Sequence, residues 1–129
     1  MDHTLRWVGK NELADRLTFS SSHIIGIGLR GVNPHDLKCW LYYPEDDCPF
    51  YRCTVFSHYA EKNVPSQDTS LPTIRLGNGS VPEDRSAKSG PYWSLMFEVS
   101  ESRHKPVNLS TIIDETIQGA INTQLIQST

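Results

Sequence analysis

Apolar and polar positions alternate most cleanly over Tyr92-Trp93-Ser94-Leu95-Met96-Phe97-Glu98-Val99. Trp93, Leu95, Phe97 and Val99 fall on one face of a strand, and Tyr92, Ser94, Met96 and Glu98 on the other. A second strand is predicted at His23–Arg30, where Ile24, Ile25, Ile27 and Leu29 are interleaved with Gly26 and Gly28. Short aromatic and β-branched runs at Lys38–Tyr43 and Tyr51–His58 predict two more, separated by the polar turn Pro44–Pro49. The period changes near the C-terminus. Ile113, Ile117, Ala120 and Ile121 recur at helical spacing, Asn108 or Ser110 can cap, and Asp114 and Glu115 suit the positive first turn. A short helix is also expected at Asn11–Leu17, with Leu13 and Leu17 four apart.

Residues 60–91 break the pattern. Pro65, Pro72, Pro82 and Pro91 punctuate Ser, Asp, Asn and Gly around one apolar island at Leu71–Leu76. So long a stretch is an insertion or a segment covering something else. Strands followed by a helix, without β–α alternation, give an α+β class with an antiparallel sheet of about four strands.

At 129 residues the chain has the length of one domain. A net charge of −3 argues against a nucleic-acid interface, which needs a basic stripe. No apolar run approaches the roughly 20 residues that span a bilayer, and Met1–Trp7 has no signal-peptide pattern. A cytoplasmic, reducing compartment is therefore expected, with Cys39, Cys48 and Cys53 as free thiols. The glycosylation triplets at Asn78 and Asn108 are then read as a turn and a helix start.

Three motifs deserve chemical scrutiny. Gly26-Ile27-Gly28-Leu29-Arg30-Gly31 matches G-x-G-x-x-G, but Val32-Asn33-Pro34 follows it as a turn, where a dinucleotide site requires a helix. It is read as a glycine-bearing strand. Cys39, Cys48, Cys53 and His58 lack the tight Cys-x-x-Cys knuckle of a zinc site, so no metal is expected. Arg52 stands among Trp40, Tyr42, Tyr43, Tyr51 and Tyr59. Its guanidinium fork matches phosphate oxygens, and an indole face suits a sugar. The alternative is an ordinary surface arginine packed on aromatic neighbours.

The run Lys38-Cys39-Trp40-Leu41-Tyr42-Tyr43-Pro44-Glu45-Asp46-Asp47-Cys48-Pro49-Phe50-Tyr51-Arg52 resembles eukaryotic, particularly fungal-type, UDP-galactopyranose mutases. Ser22–Gly28, Thr54–Ser57 with Tyr59, Gly90–Ser94, Glu98–Ser102 and Lys105–Asn108 continue the likeness in register. Cys53 and His58 depart from the family pattern.

The resemblance implies enzymes that interconvert UDP-galactopyranose and UDP-galactofuranose on a reduced flavin, FAD. It implies Trp40 beside the galactose and flavin, Tyr42 and Tyr59 hydrogen-bonded to the substrate diphosphate, and Arg52 neutralising it. Such enzymes are several times longer. The second diphosphate arginine, the uridine-binding residues and the Gly-rich βαβ flavin unit have no counterpart here. Residues 1–129 are therefore expected to form a single partial domain, the substrate-facing sheet of a larger flavoenzyme. As a fragment or truncated relative it would have no catalytic, cofactor or metal residues of its own, and no activity alone. The alternative is a non-catalytic binding module derived from that fold. In the fragment reading, strand faces such as Trp93, Leu95, Phe97 and Val99 would lack their partners and leave the isolated chain marginal, whereas a binding module would fold stably and cooperatively.

Overall fold

The computed structural model describes residues 2–76 and 80–127, so the turn expected at Asn78 lies outside the described residues. Its centre is a four-stranded antiparallel sheet. The strands are β1 (Ser21–Arg30), β2 (Trp40–Tyr42), β3 (Arg52–Val55) and, after two short strands β4 (Ser70–Leu71) and β5 (Lys88–Ser89), β6 (Tyr92–Glu101). The spatial order is β1-β6-β3-β2. The long strands β1 and β6 pair over their whole length, from Ser21 opposite Glu101 to Arg30 opposite Tyr92. A 3-10 turn at Phe56–His58 ends β3 earlier than the expected run to His58.

Register and alternation sort every side chain to one of two faces. Cys53, Val55, Trp93, Leu95, Phe97 and Val99 are buried together with Phe50 and with Ile112, Ile117 and Ala120 of the helix α3 (Ile112–Asn122), which follows two short N-terminal helices, α1 (Asp2–Trp7) and α2 (Asn11–Arg16). The apolar face of β6 therefore has its cover within the chain: Trp93 is 7% exposed and Phe97 fully buried. This corrects the expectation that it stands without a partner. The opposite face carries Ile24, Trp40 and Tyr42, all exposed.

The terminal helix is where expected, but its buried stripe is turned. Ile113 is exposed, and the buried positions are Ile112, Thr116, Ile117, Gly119 and Ala120. Thr116 can enter because its hydroxyl donates to the Ile112 carbonyl at 2.7 Å. Asn108 organises the entry, its side-chain oxygen accepting from the Ser110 backbone N–H at 3.1 Å. In α2 the buried residue is Ala14, while Leu13 and Leu17 are exposed. The helix α1 has no buried residue and no apolar stripe that would have announced it.

Gly119 allows α3 to sit against the turn before β3. A Cβ there would lie 2.8 Å from Pro49 Cδ and 2.9 Å from Cys48 Cβ. Alanine is a better helix former by about 1 kcal/mol, but overpacking costs about 1–3 kcal/mol, and these neighbours are not flexible chain ends. Gly119→Ala is accordingly expected to lower the thermal midpoint. An unchanged or raised midpoint would show that the turn gives way.

Most of the described residues between 60 and 91 are irregular, yet they are tied to the sheet. Arg30 donates to the Leu71 carbonyl at 2.5 Å and to Thr73 Oγ1 at 3.0 Å. The Tyr92 hydroxyl contacts the carbonyls of Thr69 and Lys88, both at 2.7 Å.

Candidate functional site

The short edge strand β2 presents Trp40 and Tyr42 on the solvent face, because they are two residues apart. The polar turn Pro44–Pro49 returns the chain so that Tyr42 pairs with Arg52 and Trp40 with Thr54. Directly opposed residues share a face, so Arg52 joins Trp40 and Tyr42 there. Tyr59 arrives from the other end. The Phe56–His58 turn swings it back over the sheet, where Trp40 Nε1 donates to its hydroxyl at 2.5 Å. The two rings meet edge-on at 6.0 Å. All four sequence-predicted residues, Trp40, Tyr42, Arg52 and Tyr59, thus lie along one exposed strip.

The strip has a floor, supplied by a residue that alternation puts on the polar side of β6. Glu98 stands opposite Arg52 in the next strand pair. Arg52 Nε donates to Glu98 Oε1 at 2.8 Å, and Nη2 donates to the same oxygen. The second oxygen, Oε2, accepts from the Tyr51 hydroxyl at 2.5 Å. The Glu98 side chain is 7% exposed and that of Arg52 35% exposed. One edge of the guanidinium is therefore already taken by protein. Any phosphate must use the outer edge, not the whole fork.

The Tyr51 hydroxyl, then Arg52, hold the Glu98 carboxyl below its ordinary range, against the opposing effect of its own burial. Arg52 is shifted upward, first by Glu98 and then by Tyr42. A carboxyl with a lowered folded-state pKa contributes stability above the ordinary carboxylate range and loses it as pH falls through the folded value. Wild type should therefore exceed Glu98→Gln in stability most at about pH 6, with the gap narrowing towards about pH 3. Urea unfolding across that interval reads it, and a gap independent of pH would contradict the assignment.

The other motifs resolve differently. Gly26 and Gly28 lie inside β1, Gly31 has a φ of +121°, and no helix follows. These glycines cannot hold the pyrophosphate of a flavin dinucleotide. His58 has both ring nitrogens engaged, with Asn33 Nδ2 and the Lys38 carbonyl each 2.8 Å away. Cys53 is buried and its thiol is pushed up to about 12 by that burial, which keeps it protonated. Among the described residues no group of His, Cys, Asp and Glu is arranged to hold a metal ion, and no helix is long and apolar enough to cross a membrane.

No protein-family model matches the sequence. The fold is similar to a solved structure described as "Crystal structure of reduced UDP-Galactopyranose mutase", with a TM-score of 0.72 and 38% identity over 98% of this chain. The chain spans 24% of that protein's length.

Proposed function

We propose that the chain is a fragment or truncated relative of UDP-galactopyranose mutases of the eukaryotic, fungal type, carrying part of the diphosphate site for a UDP-sugar. The observation that supports this best is the shared face: Arg52, Tyr42 and Trp40 are brought together by register, and Tyr59 by its bond to Trp40. A diphosphate needs a cation with hydroxyl donors beside it, and the strip offers both. Trp40 supplies an exposed indole face for a sugar ring, and Arg52 neutralises charge at the phosphates.

FAD belongs to the family the chain resembles. With no pyrophosphate cradle at residues 26–31, no chemical step is assigned to a flavin here. The chain's own contribution is to bind and orient the nucleotide-sugar, and alone it turns nothing over. A cytoplasmic setting accords with three free thiols. The second reading, a non-catalytic binding module that keeps the sheet, draws support from a core closed within the chain.

Calorimetric titration tests the binding. With only part of the site present, UDP should bind with a dissociation constant of about 1 mM or weaker, and uridine more weakly still. Uridine equal to UDP would remove the diphosphate role. Galactofuranose formation by the chain with added reduced flavin would overturn the fragment reading.

A further inference from the structure

We propose that Glu98 is a positioning residue that sets which edge of Arg52 meets a diphosphate, and that Tyr51 locks Glu98 in turn. This rests on the nucleotide-sugar reading above and adds residues that the resemblance did not assign. Arginine has five N–H donors in a rigid plane, and its side chain is long enough to turn that plane freely at a surface. Here two donors converge on one oxygen of a carboxylate that is almost fully buried. The other carboxylate oxygen is held by Tyr51, whose hydroxyl also lies 3.3 Å from Ser22 Oγ. A chain of contacts therefore crosses from β1 through β6 to β3 and ends on the half-exposed guanidinium.

Its consequence is directional. The Nε–Nη2 edge is turned into the sheet, and Tyr42, paired across β2 and β3, flanks the same group. Tyr42 also hydrogen-bonds the guanidinium, so what a ligand can reach is the remainder of the terminal edge on a side chain that is 35% exposed. A phosphate arriving there meets donors whose orientation is already fixed, so less rotational freedom is lost on binding. The carboxylate also places a negative charge behind the arginine. The Arg52 guanidinium lies between that charge and an arriving phosphate and offsets it, whereas the orientation the carboxylate provides acts on directed bonds. Orientation should prevail.

The test uses the whole chain, with UDP as probe and nitrogen-15 NMR as readout. In wild type, the Arg52 Nε–H should give a slowly exchanging signal, assigned by its loss in Arg52→Lys. A fast-exchanging, averaged signal would overturn the clamp without any Glu98 variant. Glu98→Ala and Arg52→Lys should each weaken UDP binding by roughly tenfold, and the double variant no further, because the two act through one contact. Additive losses would make Glu98 a separate, merely structural contributor. If Glu98→Ala does not fold, Glu98→Gln takes its place in the cycle. Should UDP perturb no wild-type signal, the diphosphate reading falls and the purpose assigned to Glu98 falls with it. The Nε–H signal still reports separately whether the clamp exists.

Discussion

Phe97→Ala should destabilise the chain by about 3–5 kcal/mol, the range for removing a buried phenylalanine from a packed core. Phe97 has no exposed surface and lies in β6 between Ile25 and Cys53 of the neighbouring strands. Its ring packs on Phe50 at 4.6 Å between centroids, and Phe50 belongs to the turn held against α3. The cavity would open where sheet, turn and helix meet, so little can collapse to fill it. Whole domains are stable by only about 5–15 kcal/mol, so a change of this size removes much of the reserve. Denaturant midpoints measure it. A loss below about 1 kcal/mol would mean that this face is not the real core. The substitution also adjoins Glu98, so the candidate site should loosen along with the sheet.

The second large effect concerns Arg52 itself. Grafted into a full-length mutase that contains this segment, Arg52→Ala should lower kcat/KM by about 100-fold to 1000-fold, as for other groups that stabilise charge in the transition state. Arg52→Lys should recover little of this. Lysine keeps a positive charge but has no planar edge to share between Glu98 on one side and phosphate on the other. Two variants are needed because they separate charge from geometry. Wild-type efficiency in Arg52→Lys would leave only the charge as important, and wild-type efficiency in Arg52→Ala would reduce the residue to packing.

The sequence alone predicts much of this frame, and its failures have physical causes. The alternation in Tyr92–Val99 is legible because one face is completely covered and the other is not. The hairpin of β2 and β3 is legible from aromatic runs around a polar turn. What the pattern could not show is register, since a slip of one residue would have sent Arg52 to the opposite face. The observed pairing of Tyr42 with Arg52 decides that point. The helix stripe was misphased because hydrophobicity highlights Ile113, whereas the buried surface includes Thr116, satisfied within its own helix, and Gly119, needed for close approach. Glu98 was missed for a related reason. A carboxylate on the polar side of a strand suggests solvent, and only the neighbouring strand reveals the arginine and tyrosine that keep it buried. A sequence signal does exist, in Tyr51-Arg52 set to meet a lone acid on the strand's polar face, but it requires the register to be known.

On the proposed reading, one exposed strip, from Tyr59 through Trp40 and Tyr42 to Arg52, receives the diphosphate and sugar of a nucleotide-sugar. The most direct test of that reading is a UDP titration followed by nitrogen-15 NMR at assigned side-chain N–H groups. Perturbation should concentrate on the outward terminal N–H groups of Arg52 and the Trp40 indole N–H, while the indole N–H of buried Trp93, on the opposite face, stays still. Saturable shifts that spare Arg52 and Trp40, or that appear equally at Trp93, would contradict the account.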